Sequence, residues 1–398
     1  MTYAPSAEQE AGASAGAAAA AFRDWITTAA LPLWGGVGFD ATLGGFHERL
    51  DWDGRPLVVA PRRSMVQARQ IYVFSHAARL GWAPAESGRR AEAAMASLLR
   101  LYADDGKLTR GVAFSVGPDG AVVSAVRDAY AHAFVLFALA SLFRLNGDAT
   151  LLGRADEAAG FIDASLEDKA FGGLFDRFPV DDLTKRQNPL MHLLEAFLAL
   201  EEAAPGRGFL EPARRIVDLF RTRLFTPVPG VLLEYFAQDW SDHPDSAKAG
   251  LFEPGHHFEW VWLLSQYERL SGETLAPFIL QLHQSAARRG FGDDGLIVDE
   301  IDRDMIVRKS SHRVWPHTEA LKAAAAMAEK SDAGAPALAA RMVGALTSVF
   351  LDRPFLGGWT DHIGEDGAPL VDYVPASSLY HLFFAAAEAS RVFEPART

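Results

Sequence analysis

Apolar positions along this chain gather into six stretches dense enough to bury a helix on most of its circumference: Val66–Leu80, Tyr130–Leu145, Pro189–Ala203, His256–Leu270, Pro316–Ala328 and Ser378–Val392. Between them run more polar stretches with one apolar face, such as Gly88–Tyr102, Leu151–Leu166 and Gly208–Leu224. A glycine-marked segment precedes each apolar stretch. Gly44-Gly45-Phe46-His47-Glu48 resembles Gly172-Gly173-Leu174-Phe175-Asp176 and Gly357-Gly358-Trp359-Thr360-Asp361. Weaker copies stand at Gly106-Lys107-Leu108, Pro229-Gly230-Val231-Leu232 and Asp294-Gly295-Leu296-Ile297-Val298. The copies recur about every 62 residues, and Asp53-Gly54 and Asp366-Gly367 are hairpin-turn dipeptides.

The repeating unit is therefore hairpin, loop, apolar helix, amphipathic helix, six times over. Such units bury their faces only against each other. The pattern predicts an all-α fold, an (α/α)6 barrel with inner and outer helix rings and short β-hairpins on one face. All 398 residues are expected to form one domain, with residues 1–20 as a frayed N-terminal lead.

Composition narrows the function classes. A formal charge of −13 opposes nucleic acid or an anionic membrane surface as partner. No cysteine is present, which removes disulfides, thiol nucleophiles and Cys-ligated metals. The start is acidic and Ala-rich rather than basic and Leu-rich, and no run of about 18 strongly apolar residues stands out, so a cytoplasmic protein without a membrane span is expected.

If the ring closes, polar residues at matching places in the units converge on its axis. These are Arg69, Tyr130, Asn188 with His192, His256 with Glu259, Trp315 with Glu319, and His381. His257, one step along the helix from His256, turns about 100° away. His47, His132 and His317 are expected to be structural, and His76, His243, His283, His312 and His362 fall outside the pattern. Trp260 and Trp262 suit helix packing.

Imidazoles exchange protons near neutral pH, so two of them around a bound sugar can remove and return a proton beside a carbonyl. Arg69 and Tyr130 can hold the carbonyl oxygen as charge develops, Glu259 and Glu319 can orient the histidines, and Trp315 offers a flat face to a sugar ring. The set suits proton abstraction α to a carbonyl.

At Gln67-Ala68-Arg69-Gln70, Asn188 through Glu195, Pro254 through Glu259 with the following Trp260, and Tyr380-His381, the chain resembles the N-acylglucosamine 2-epimerase superfamily. The resemblance spans nearly the whole chain and implies an (α/α)6 barrel. It implies His256 and His381 as the essential pair and His192 as the residue assisting ring opening, with Arg69, Tyr130, Asn188 and Trp315 contacting substrate. It implies an isomerase working through a cis-enediol, with neither a cofactor nor a metal. The stretch from Arg62 to Tyr72 and the run His256-His257-Phe258-Glu259-Trp260 resemble the bacterial mannose isomerase branch, which favours mannose–fructose interconversion. The alternatives are 2-epimerisation of an N-acylglucosamine, mannose/glucose or cellobiose substrate, and isomerisation of a 6-phosphorylated or sulfonated sugar met by Arg62, Arg63, Lys185, Arg186, Lys309 or Arg313. The expected partner is a monosaccharide, and a homodimer is the assembly considered.

Three rival classes fit parts of the pattern. His192 with Glu195 and His256 with Glu259 have a spacing that can serve metals in helical bundles. Glu259 and Glu319 can pose as the carboxylate pair of a glycoside hydrolase. A non-catalytic sugar-binding module is the third.

Overall fold

The computed structural model describes residues 7–83 and 86–395. Its helices are α1 (Ala7–Trp25), the short α2 (Leu31–Gly35), α3 (Ser64–Leu80), α4 (Glu86–Tyr102), α5 (Ala129–Asn146), α6 (Thr150–Phe161), α7 (Gln187–Ala203), α8 (Leu210–Leu219), α9 (Pro254–Ser271), α10 (Ala276–Arg289), α11 (Val314–Glu329), α12 (Ala335–Ala345) and α13 (Leu379–Phe393). The apolar helices α3, α5, α7, α9, α11 and α13 pack neighbour to neighbour, and α13 returns to α3, which closes the inner ring. The amphipathic helices α4, α6, α8, α10 and α12 lie outside it.

The sixth outer helix is α1. It packs on α12 and α13 with Ala15 and Ala19 buried. The expectation of a frayed lead over residues 1–20 is corrected for the described residues from 7 on. An alanine-rich run forms a helix readily but lacks the large apolar face that marks a docked one, yet small residues let a helix approach its neighbours closely, and among the described residues no outer helix follows α13. The amino-terminal helix supplies it.

Local chemistry fixes the helix ends. Asp128 caps α5 by accepting from the Ala131 backbone N–H at 2.8 Å. Pro254 opens α9, where its missing N–H costs nothing. Gly81, Gly147 and Gly272 end α3, α5 and α9 in the left-handed conformation. The outer helices α1, α6, α8 and α12 each end in a five-residue π turn, at 26–30, 162–166, 220–224 and 346–350.

Two-stranded links run around one face of the ring. The strand before each inner helix pairs with the hairpin of the next unit: 62–63 with 115–116, 127–128 with 177–178, 185–186 with 235–236, 251–252 with 301–302, and 312–313 with 362–363. The last link, 373–375 with 49–51, joins the two ends of the chain. These links surround the amino-terminal ends of the inner helices.

One point of the sequence reading needs correction. Helix α5 does reach a mean hydropathy of 1.3 over 18 residues, the length and composition of a membrane span. It is an inner helix, 72% buried within the protein, so its apolar surface already faces other helices.

Candidate active site

The inner helices start in register, so equal steps along them form layers across the axis. Their second residues, with Ala376 taken as the start of the last, include Tyr130, Asn188, Gly255, Trp315 and Ser377. Tyr130, Asn188 and Trp315 are half-buried. Gly255 is required here: a Cβ would stand 2.7 Å from the Trp315 ring. The sixth residues are Arg69, Phe134, His192, Glu259, Glu319 and His381, and the ninth are Tyr72, Phe137, Glu195, Trp262, Lys322 and Phe384. His256 stands one turn above Glu259. Every candidate from the sequence except His256 thus lies in the upper two layers, and His256 stands between them.

Each of the three histidines rests Nδ1 on a carboxylate, leaving Nε2 for other chemistry. His256 Nδ1 donates to Glu234 Oε1 at 2.9 Å. His381 Nδ1 donates to Glu319 Oε1 at 2.7 Å. His192 Nδ1 donates to Glu195 Oε2 at 3.2 Å, with Glu259 Oε1 at 3.7 Å. The rings of His256 and His381 both lie against Trp315, with centroids 4.9 and 5.7 Å away.

Their protonation differs. Burial disfavours the cation in all three. At His256 the carboxylates of Glu234 and Glu253 outweigh burial and raise its pKa to about 9. At His381 burial wins over Glu319, helped by Arg69 and Lys322, and lowers its pKa to about 3. Burial likewise holds His192 at about 4. At neutral pH the site therefore carries one imidazolium, His256, and two neutral imidazoles.

Below the histidines lies a charged floor. Lys322 is fully buried, with Nζ 2.8 Å from Glu319 Oε2 and 4.0 Å from Glu195 Oε1. The Tyr380 hydroxyl donates to the Glu195 carboxylate at 2.6 Å. Glu259 has neither oxygen hydrogen-bonded, and burial together with Glu319 and Glu195 pushes its pKa well above the usual carboxylate range. Arg69 donates to the Tyr130 hydroxyl and, at 3.1 Å, to the Ser377 carbonyl, with its guanidinium 4.2 Å from the Phe134 ring centre. It is not paired with Glu319. The Asn188 Oδ1 is buried without a protein partner.

Sequence reasoning missed Glu234 and Lys322, and gave Glu195 and Tyr380 no part in supporting the histidines. It gave Glu259 as the support of His256, but the hydrogen bond belongs to Glu234 on a hairpin, and Glu259 faces His192. His257, His132 and His317 share the fourth place in their helices and one structural task. Their Nε2 atoms accept the backbone N–H of Leu232, Val112 and Ile297 at 3.0, 2.9 and 3.0 Å, tying hairpin to helix. Trp260 packs on Phe220 and donates to Gln187.

Among the described residues three clusters have metal-ligand spacing: His192/Glu195/Glu259, Glu234/Glu253/His256 and Glu259/Glu319/His381. The second is built around an imidazolium, which has no lone pair to give. The third already faces the Lys322 ammonium. The first offers a neutral imidazole whose Nδ1–H is spent on Glu195. The donor chemistry suits proton transfer better than metal binding in each.

Comparison with known proteins agrees with this geometry. The sequence matches the N-acylglucosamine 2-epimerase (GlcNAc 2-epimerase) family over residues 44–385. It is 34% identical over 376 residues to a mannose-6-phosphate isomerase of Rhizobium meliloti (strain 1021), covering 91% of this chain and 94% of that protein. It is 30% identical over 311 residues to a D-mannose isomerase of Thermobifida fusca, covering 71% and 72%. The solved cellobiose 2-epimerase of Spirochaeta thermophila superposes with a TM-score of 0.84 at 25% identity, over 98% of this chain and 99% of that one. With an (α/α)6 barrel and three histidine–carboxylate pairs at its axis, the chain belongs to the N-acylglucosamine 2-epimerase family and is a sugar isomerase or epimerase.

Proposed function

We propose that the protein interconverts an unphosphorylated aldose and its ketose, of the mannose–fructose type, through a cis-enediol. The observation that carries this reading is the placing of two imidazoles against one indole, His256 held by Glu234 near Glu253 and His381 held by Glu319 beside Lys322, surroundings that push their pKa values in opposite directions. Two titratable groups pushed apart in pKa divide acid and base roles between them.

Neutral His381 takes the C2 proton of the open-chain aldose. The C–H electron pair forms the C1–C2 double bond, and cationic His256 protonates the former carbonyl oxygen at C1. His381 then returns its proton to C1 while the C2 hydroxyl proton passes to His256, giving the C2 ketone. Return to the opposite face of C2 gives the epimer instead. Arg69 and Tyr130 stand where oxygen charge develops, His192 assists ring opening, and Asn188, Trp315 and Glu259 hold the sugar.

The cations suggested for a phosphate handle are already engaged. Arg62 pairs with Asp40 at 2.7 Å, Arg63 with Glu48 at 2.6 Å and Lys185 with Asp168 at 2.8 Å. Arg186 meets Asp176 and Asp182, Lys309 meets Glu300, and Arg313 bridges Glu253 and Asp299 at 2.7 and 2.8 Å. This pairing supports a neutral sugar.

The test is incubation in D2O with mannose, glucose, fructose, N-acetylmannosamine, cellobiose and mannose 6-phosphate, with products resolved by chromatography. Mannose should give fructose labelled from solvent at C1, with kcat/KM at least about tenfold above that for mannose 6-phosphate. Absence of label points to internal proton transfer by His381 or to a hydride shift, and loss of turnover in His381→Ala separates the first from the second; a preference for the phosphate sinks the substrate assignment.

The pH profile gives a second check. His256 must be protonated to act as acid, so kcat/KM should fall as pH rises through about 9. Glu234→Gln removes the carboxylate that raises this pKa most. Its alkaline limb should move down towards the ordinary histidine range, near 6.5. An unmoved limb would assign it to another group.

A further inference from the structure

The layers continue below the active site to the other end of the barrel. The sixteenth residues of the inner helices are Arg79, Arg144, Glu202, Arg269, Glu329 and Arg391, in ring order. Arg144 and Arg269 both pair with Glu202, at 2.5 and 3.0 Å, and Arg391 pairs with Glu329 at 2.6 Å and with Glu388 at 2.8 Å, Glu202 and Glu388 themselves lining the cavity above. Arg79 falls between Arg391 and Arg144, so three cations stand in succession on one arc. Among the described residues Arg79 has no carboxylate within ion-pair distance and no hydrogen bond to a helix-end carbonyl. Above this ring lies a cavity of about 410 Å3, into which Arg79, Arg144 and Arg391 all face. Tyr72, Phe137, Trp262 and Phe384 of the ninth layer form its apolar roof, beside Glu195. The roof separates it from the catalytic histidines.

We propose that this second mouth binds a small organic oxyanion. A carboxylate, sulfonate or phosphate sits on the Arg391–Arg79–Arg144 arc, and an aromatic or aliphatic body lies in the cavity against the ninth-layer rings. Arginines in a helix's last turn also offset the helix dipole. That task explains the paired members of the ring. It does not explain Arg79, an exposed guanidinium at the mouth of a cavity of mixed polar and apolar lining that has no carboxylate or helix-end carbonyl bound to it, where an oxyanion would make charge-assisted hydrogen bonds.

The probe is 8-anilinonaphthalene-1-sulfonate, an aromatic sulfonate that fluoresces in apolar sites, titrated into the full-length chain. Saturable binding at one site per chain is expected, with competition by phenyl phosphate. Arg79→Glu should weaken it at least about tenfold and Arg79→Lys by less than about threefold. The uncharged analogue N-phenyl-1-naphthylamine should bind Arg79→Glu and wild type alike. Ala199→Phe, which fills the cavity, should abolish sulfonate binding in a protein whose circular dichroism and Tm show it folded. No saturable binding to wild type, or equal binding to Arg79→Glu, would overturn the proposal and leave the ring as a brace for the helix ends.

Discussion

His381→Ala should lower sugar interconversion by about a hundredfold or more, within the range of 10²–10⁴ that a positioned general acid or base contributes. His256→Ala should do the same. The two losses should differ in form. His381 is neutral, and its removal takes away the group that receives the C2 proton, so exchange of that proton with D2O should fall in step with turnover. His256 is cationic, and its removal takes away the proton donor to the oxygen but leaves the base. Residual turnover in His256→Ala should therefore lose the alkaline limb near pH 9, whereas His381→Ala should keep it. Both side chains keep their Nε2 atoms free of protein hydrogen bonds, while each substitution removes one Nδ1 hydrogen bond, to Glu234 or Glu319, and a ring contact with Trp315, so circular dichroism and Tm must show each variant folded. Wild-type rates in either variant would remove that residue from the mechanism. Equal loss of turnover with full retention of solvent exchange in His381→Ala would move the base to His192.

The ring was legible because every inner helix must bury nearly its whole circumference, and that demand leaves six apolar stretches in the sequence. The axial candidates were legible because a polar residue inside such a stretch breaks its pattern at the same phase each time. Glu234 was not legible that way, since it lies on a hairpin. A signal was nonetheless present. Glu48, Asp176 and Asp299 hold the arginine just before the next inner helix, Arg63, Arg186 and Arg313. Glu234 occupies the same place in its hairpin, but the residue before α9 is Glu253 in place of arginine. A hairpin acid without its arginine has another partner to find, and His256 is within reach. Lys322 escaped notice, and Glu195 drew only a metal-spacing reading, for a different reason. Three residues beyond Glu319 and His192, they look like ordinary i, i+3 neighbours of a charged group on a helix surface. Only closure of the ring makes that surface the interior. The amino-terminal helix was misjudged because propensity and amphipathicity describe a segment alone, while its docking depends on a gap left by the last repeat.

Lys322→Met should destabilise the fold by about 3–5 kcal/mol, the cost of removing one partner from a buried ion cluster. Methionine matches the lysine stem and keeps the contacts with Trp262 and Phe384, whose ring centres lie 4.7 and 4.3 Å from Nζ. The change therefore isolates the charge. The Lys322 ammonium does most to hold the Glu319 carboxyl down, against burial, at about 2. A carboxyl depressed in the folded state contributes stability above its unfolded pKa and loses it as pH falls through the folded value. Without the ammonium, Glu319 and Glu195 face one another across a buried space with no cation between them, and their pKa values rise. The deficit of Lys322→Met should be largest near neutral pH and shrink as pH falls and these carboxyls take up protons. Protonated Glu319 is also a poorer acceptor for the Nδ1–H of His381, so turnover should fall at least about tenfold with little change in KM. Denaturant unfolding of wild type and variant across pH 5–8 measures the first effect, and steady-state kinetics at a temperature where both are folded measures the second. A deficit below about 1 kcal/mol, or one that does not depend on pH, would mean that Lys322 fills space at the axis without holding its charges.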